Sequence, residues 1–162
     1  MTPHPGEMAR LLGASIASVQ SRRLDVALEN AAKWRAHVVL KGSHTILATP
    51  DGHAYINTTG NPGMATGGTG DILTGMLAGL TAEFAAQLGA DFGAKPEANP
   101  DKTPPPLNWA TVLGLGVYLH GLAGDAAAAQ VGEAPLVATD LIEALPEVFA
   151  NFIADWKQTQ SI

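Results

Sequence analysis

The chain contains 162 residues, of which 46% are hydrophobic, so we expect one globular domain over residues 1–162 with a sizeable core. A net charge of −6 with scattered basic residues excludes a broad nucleic-acid-binding surface, and the lack of cysteine excludes disulfides and thiolate metal sites. The N-terminus has no signal-peptide pattern and we count no run of about 20 apolar residues, so we expect a cytoplasmic protein that does not enter a membrane.

The first half of the chain alternates between helix and strand signals. Residues 21–35 carry apolar side chains at helical spacing and the apolar run HVVLKG follows, which predicts an amphipathic helix and then a buried strand ending near Lys41. The segment TILATPDGHAYIN has two extended runs around residues 50–52, where proline and glycine favour a turn, and it predicts a hairpin. The apolar face of the helix is expected to contain Leu24, Leu28, Ala31 and Trp34.

The second half is predicted to be helical, beginning with residues 71–80. Gly75 and Gly79, four positions apart in this helix, are expected to allow a close neighbour. The apolar face that we expect to be buried contains Ile72, Leu73, Met76, Leu77 and Leu80.

The rest of the chain is predicted to contain a loop and further helices. Residues 93–108 concentrate five prolines and are expected to form a surface loop. A long helix of small residues is expected over residues 108–130, and one or two more over residues 139–156, interrupted near Pro146. Helices that alternate with short strands in this way are typical of an α/β fold.

The segment at residues 60–71, GNPGMATGGTGD, contains five glycines followed by an acid. It lacks the Gly-Lys-Ser/Thr ending of a Walker A loop and the third glycine of a dinucleotide-binding fingerprint. It does bring exposed amides to the N-terminus of the predicted helix, where free N–H groups and the helix dipole attract anions.

Asp71 is the acid at that junction. A fixed carboxylate beside a bound phosphate is repulsive unless it has a further task, such as accepting the proton of a hydroxyl that attacks phosphorus. Alternatively, Asp71 only caps the helix, as aspartate often does. The residues alone leave both interpretations open.

Five segments occur in an order found in one enzyme family: TPHPGEMARL, VVLKGSHT, PDG with Asn57 nearby, GNPGMATGGTGD and VYLHGLAGD. Over nearly the whole chain they resemble the ADP-dependent NAD(P)H-hydrate dehydratases of the ribokinase-like superfamily. The resemblance implies an α/β fold, with a layered sheet flanked by helices, and repair of hydrated NADH or NADPH. ADP or ATP, with Mg²⁺, would phosphorylate the added ring hydroxyl, and elimination of phosphate would restore the cofactor. An NAD(P)H-hydrate epimerase is the functional partner that it implies.

The resemblance also implies roles for individual residues. Asp71 would be the catalytic base and, with His4, would contact the hydrated dinucleotide. Glu7 has the spacing of the Asn-x-x-Glu element of related sugar kinases and would serve Mg²⁺ through water. Without the resemblance, Lys41 would be an ordinary solvated lysine at a strand end and His4 a polar loop residue. The residues matched to nucleotide contacts, or to amides that hold the phosphate, are Lys41, Gly42, Ser43, His44, Thr45, Gly68, Thr69 and Gly70.

The histidines other than His4 show no metal-ligand spacing. We expect His37, His44 and His53 to be surface polar groups. His120 lies within an apolar helix and is expected to be a packed, hydrogen-bonded core residue.

Domains of this family are considerably longer than 162 residues, and Met1 falls almost at the HPGE motif. We therefore expect the N-terminal half of the fold to be absent, because the chain is either a fragment of a longer enzyme or a natural half-domain. An open sheet edge would favour a homo-oligomer. Two other functions stay open. One is a ribokinase-like kinase for a vitamin precursor or another small alcohol, and the other is a non-catalytic nucleotide-binding or assembly module.

Overall fold

The computed structural model describes residues 1–87 and 108–159. The predicted proline-rich loop therefore lies outside the described residues, apart from Asn108. The elements are helices α1 (Pro5–Leu12), α2 (Ile16–Ser21) and α3 (Arg23–Trp34), strands β1 (Val38–Leu40), β2 (Ile46–Ala48) and β3 (Ala54–Ile56), a 3-10 turn (Pro62–Met64), and helices α4 (Thr69–Gln87), α5 (Trp109–Val131) and α6 (Ala138–Thr159).

The three strands form one antiparallel sheet in the order β1, β2, β3. Val38 lies opposite Ala48 in the first pair, and Ile46 lies opposite Ile56 in the second. The turn at residues 49–53 joins β2 to β3, which confirms the hairpin predicted from the PDG segment. All three residues of β1 and of β2 are buried, as expected of short apolar strands beneath helices.

Residues 1–3 cover the edge of β1 that β2 leaves open. The Val39 N–H donates to the Met1 carbonyl at 2.8 Å, and the Lys41 N–H donates to the Pro3 carbonyl at 2.9 Å. From the first bond to the second, both segments advance by two residues in the same direction, as in a parallel pair. Helices α1 to α3 therefore form the crossover between residues 1–3 and β1. This topology brings the N-terminus of α1 beside the end of β1.

Helix α3 packs on the sheet through a face that differs in part from the predicted one. Its buried residues are Val26, Ala27, Asn30 and Ala31, whereas Leu24 is 42% exposed. Leu24 lies in the first turn, before Val26, the first residue of α3 that joins the core. Including Leu24 in the buried face was therefore wrong.

Helices α4, α5 and α6 form the second part of the core, in which α5 packs against both of the others. No described residue lies within 4 Å of the position that a Cβ would take at Gly75 or Gly79, so the close neighbour predicted for α4 was wrong for this part of the chain. The close approach occurs on α5 instead, where a Cβ on Gly121 would overlap Thr59. Gly121 thus lets the chain that leaves β3 lie directly on α5.

Helix α6 continues through Pro146 as one element, so the predicted interruption was wrong. Proline removes one backbone hydrogen bond, but Leu141, Ala144 and Val148 on either side of it are buried in the same cluster. Packing of this apolar face outweighs the lost bond. The predicted helix over residues 108–130 is confirmed by α5.

Helix α5 is long and apolar enough, by length and composition, to cross a membrane. Counting runs of about 20 apolar residues in the sequence did not identify this helix as a candidate. Half of its most apolar stretch is buried inside the structure. Core helices of soluble proteins pass the same criterion, so the finding is weak evidence for a membrane span.

We expect Gly121→Ala to lower the free energy of unfolding by about 1 to 3 kcal/mol, because the added methyl group would overlap both the backbone and the side chain of Thr59. Gly75→Ala is the matched control in open space, and its better helix propensity should leave stability unchanged or raise it by up to about 1 kcal/mol. Urea unfolding measures both. Equal stabilities for the two variants would contradict this packing.

Candidate functional site

A cavity of about 730 Å³ lies where the loop after β1, the glycine-rich segment, the N-terminus of α1 and the middle of α5 meet. This volume is in the range of small-molecule and cofactor sites. Every residue predicted for the site lines the cavity except Glu7. Segments that are far apart in sequence are therefore brought together as the predicted roles require.

The glycine-rich segment is attached to α5 at its beginning. The Asp125 carboxylate accepts hydrogen bonds from the Gly60 N–H at 2.8 Å and from the Asn61 side-chain amide at 3.0 Å. The Thr59 hydroxyl donates to the Tyr118 carbonyl at 2.9 Å. These bonds hold one wall of the cavity against a long, buried helix.

Helix α4 begins in the cavity wall. Gly68 precedes its first residue with a φ of +93°, a conformation that favours glycine. The Thr69 hydroxyl donates to the carbonyls of Met64 and Thr66 at 2.8 and 3.0 Å. Because the hydroxyl proton is used in this way, Thr69 can donate to a ligand only through its backbone N–H. Within the described ranges, the N–H groups of Thr69 and Gly70 have no acceptor, as is typical of an anion-binding helix end.

Lys41 lies between this helix end and the loop after β1. Its side chain is only 23% exposed, which disfavours the interpretation as a solvated strand-end lysine. A Cβ on Gly70 would lie 2.9 Å from the Lys41 Nζ, so the ammonium group packs directly against the start of α4. Ammonium and helix amides together present a positive site to an anionic group.

Asp71 is the third residue of α4, and three other helices have an acid at the same position. The acid of α3, Asp25, lies 3.4 Å from the Arg22 Nε. Glu7 of α1 accepts from the His4 N–H at 2.6 Å, and Asp140 of α6 accepts from the Val137 N–H at 2.8 Å, so both cap their helices. The Asp71 carboxylate has no hydrogen-bond or ion-pair partner among residues 1–87 and 108–159, and it lines the cavity. Its interpretation as a helix cap is therefore not supported.

Glu7 and His4 are coupled at the N-terminus of α1. The His4 Nδ1 accepts from the N–H groups of Gly6 and Glu7 at 3.0 and 3.2 Å, so in the neutral ring the proton resides on Nε2, which can donate. The hydrogen bond from the His4 N–H holds the pKa of Glu7 below its usual range. The positive charge of Lys41 adds to this effect, because its Nζ lies 3.6 Å from a Glu7 oxygen. In the part of the chain that the structure describes, no three acidic or histidine side chains are grouped to hold a metal ion.

His120 is a buried, hydrogen-bonded residue, as predicted, and its ring also reaches the cavity wall. Its Nε2 lies 2.9 Å from the Thr69 carbonyl, which requires a proton on that nitrogen. Burial lowers the pKa of His120. His44 and His53 are exposed as expected, whereas His37 is half-buried.

Two charged residues that support the site were not among the predicted ones. Asp125 is the single charged residue in the sequence of α5, and a lone acid in an apolar helix indicates a polar partner. Arg23 contacts the loop after β1 from behind. No local pattern in the sequence distinguishes Arg23 from the neighbouring Arg22.

Comparison with known proteins gives the same identification as the motifs. A family model described as NAD(P)H-hydrate dehydratase matches residues 1–147. The bifunctional NAD(P)H-hydrate repair enzyme Nnr of Moorella thermoacetica is 47% identical over 151 residues, which are 93% of this chain and 24% of that protein. The ADP-dependent (S)-NAD(P)H-hydrate dehydratase of Bacillus subtilis is 48% identical over 77 residues, 48% of this chain and 28% of that protein.

Solved structures confirm the fold class. The ADP/ATP-dependent NAD(P)H-hydrate dehydratase from Bacillus subtilis, co-crystallized with ATP/Mg²⁺, matches with a TM-score of 0.72 and 34% identity over 93% of this chain and 47% of that one. A ribokinase-like superfamily protein from Enterococcus faecalis matches with a TM-score of 0.66 and 33% identity over 93% of this chain and 43% of that one. The chain thus spans about a quarter of the length of the curated bifunctional relative and about half of the solved relatives.

We expect the stabilising contribution of His120 to fall as the pH drops below its ordinary pKa of 6.5, because burial lowers the pKa in the folded state and the unfolded chain binds the proton first. His120→Gln retains an N–H donor but does not titrate. The stability difference between parent and variant, from thermal unfolding, should shrink between about pH 7.5 and about pH 5.5. A difference that is constant over this range would contradict the assignment.

Proposed function

Because the chain belongs to the NAD(P)H-hydrate dehydratase family, we propose that it carries the nucleotide site and the catalytic base of an enzyme that dehydrates hydrated NADH or NADPH at the expense of ADP or ATP. The activity of the whole protein is a proposal, since the chain spans only part of each relative. One observation carries it. The carboxylate of Asp71, which has no partner among the described residues, lines the same cavity as Lys41 and the first residues of α4.

The proposed nucleotide site lies along residues 41–45 and at the start of α4. Lys41 and the amides of Gly68, Thr69 and Gly70 would hold the phosphates, because positive charge and free N–H groups converge there. Like the relative that was co-crystallized with ATP/Mg²⁺, the protein would use Mg²⁺ with its nucleotide. Mg²⁺ is commonly held by phosphates and one or two carboxylates, and Glu7, bound to His4 and Lys41, would contribute through water.

Asp71 is the proposed general base. Its carboxylate would take the proton of the hydroxyl on the hydrated nicotinamide ring as that oxygen attacks the terminal phosphorus, leaving AMP from ADP or ADP from ATP. Loss of inorganic phosphate from the ring, with a proton from the neighbouring carbon, then restores the reduced cofactor. His4 lines the cavity, and its protonated Nε2, which lies 3.6 Å from a Glu7 carboxylate oxygen, would donate a hydrogen bond to the dinucleotide.

The proposed setting is the cytoplasm. Disulfides are rare there, and the chain, which contains no cysteine, does not depend on them. The word bifunctional in the name of the Moorella thermoacetica relative supports pairing with a second repair activity, for which we propose an NAD(P)H-hydrate epimerase.

Self-association is supported by β3, which has no second strand neighbour among the described residues and exposes Tyr55 and Ile56. A monomer mass in light scattering would contradict it.

ADP or ATP should raise the melting temperature of this chain, since a ligand at about 100 times its dissociation constant adds roughly 2.7 kcal/mol to the folded state. Lys41→Ala should lose most of this shift, because it removes the ammonium group at the start of α4. The exposed Lys33 provides the matched control, and Lys33→Ala should keep the shift. No shift of the folded parent at millimolar nucleotide would overturn the nucleotide site.

Asp71→Asn should lower the rate of dehydration by about 100-fold to 10,000-fold, because the amide retains the size of the side chain but cannot accept the proton. Asp140→Asn is the matched control, because Asp140 occupies the same helix position as a cap, and its rate should stay within about twofold of the parent. The assay follows the near-ultraviolet absorbance of NADH recovered from hydrated NADH with ADP and Mg²⁺.

Three results of this assay would contradict the proposal. An Asp71→Asn rate within about threefold of the parent would remove the general base. A phosphorylated product that accumulates would indicate a kinase for a small alcohol. Nucleotide binding by the parent without any turnover would indicate a non-catalytic nucleotide-binding or assembly module.

A further inference from the structure

The loop at residues 41–45 is held from behind by one side chain, that of Arg23. The guanidinium Nη2 donates to the carbonyls of Leu40 and His44, each at 3.3 Å, and to that of Lys41 at 3.4 Å. The Nη1 donates to the Ser43 carbonyl. Four carbonyl groups within five residues thus converge on a single cation.

The opposite side of this loop consists of amides. The peptide bonds are trans, so each N–H points away from the carbonyl in its own peptide unit. When Arg23 draws the carbonyls of Lys41, Ser43 and His44 to one side, the N–H groups of Gly42, His44 and Thr45 are turned to the other. None of these three amides has an acceptor among the residues that the structure describes, and the loop lines the cavity.

The backbone of this loop adopts positive φ angles at two positions, 42 and 44. Gly42 has a φ of +142°, and a Cβ there would lie 2.9 Å from the Arg23 Nη2. His44 has a φ of +55°, which is unusual for a residue other than glycine. Within residues 1–87 and 108–159 the buried Arg23 Nε has no hydrogen-bond partner, a cost that the four carbonyl bonds offset.

We infer that Arg23 is a positioning residue, which fixes the peptide planes of residues 41–45 so that the N–H groups of Gly42, His44 and Thr45 face the anionic part of the bound nucleotide. Arg23 does not line the cavity and acts through the backbone that it holds. This inference rests on the proposed nucleotide site. A planar guanidinium is required, because only a fork of several donors reaches all four carbonyls of residues 40–44 at once.

Calorimetric titration with ADP and Mg²⁺ tests the inference on the parent and on three variants of this chain. Arg23→Ala and Arg23→Lys should each weaken ADP binding by about tenfold, because lysine keeps the charge but not the fork. Arg22→Ala is the matched control, since the exposed Arg22 side chain pairs with Asp25 and Glu29 of α3, and ADP binding should stay within about twofold of the parent. Free guanidinium, far below unfolding concentrations, should partly restore binding to Arg23→Ala and not to Arg23→Lys.

Several outcomes would overturn the inference. One is an affinity of Arg23→Ala for ADP that lies within about twofold of the parent. Another is a parent-like affinity of Arg23→Lys, which would mean that the positive charge alone suffices. If Arg23→Ala does not fold, Arg23→Lys decides. If the parent itself does not bind ADP, the proposed nucleotide site fails, and backbone ¹⁵N relaxation of residues 42–45 without ligand decides about Arg23. Increased mobility confined to this loop in Arg23→Lys supports positioning, and unchanged mobility overturns it.

Discussion

The contact between the Lys41 ammonium and the backbone of Gly70 sets the geometry of the whole cavity. It joins the end of β1 to the start of α4, and a side chain at position 70 would displace the ammonium group. A cation at a helix N-terminus is unfavourable because the helix dipole is positive there. Glu7, with an oxygen 3.6 Å from the Lys41 Nζ, offsets part of this cost, and a bound anion would offset the rest. The ligand-free site thus holds the Lys41 ammonium against the start of α4, with the carboxylate of Glu7 beside it.

Two charged side chains hold the backbone segments on either side of this contact. Arg23, a cation, gathers carbonyl oxygens of residues 40–44, and Asp125, an anion, accepts the Gly60 N–H and the Asn61 amide. Each charge matches the backbone groups that it holds, and both side chains project from helices packed in the core. Loops rich in glycine lose much conformational entropy on ordering, so such anchors are what keeps their free amides in place before a ligand binds.

The elements could be predicted from the sequence because they depend on local patterns, whereas the site residues were predicted from the resemblance to a known family. The PDG turn, the apolar run of β1 and the glycine-rich entry into α4 follow from local conformational preferences. What could not be predicted depends on contacts between distant residues. Whether Gly75 or Gly121 meets a neighbour, whether α6 bends at Pro146, and which of two adjacent arginines turns inward are decided by tertiary packing.

The different fates of Glu7 and Asp71, two acids at the same helix position, follow from the residue that precedes each helix. In α1 that residue, His4, is extended, with φ −81° and ψ 167°, which directs its N–H toward the carboxylate of Glu7. Before α4 the corresponding residue is Gly68 with φ +93°, and its N–H does not meet the carboxylate of Asp71. The carboxylate therefore loses the partner that a capping acid normally has and stays free in the cavity. A glycine conformation that side chains rarely adopt thus changes an ordinary capping position into a site for an unpaired base.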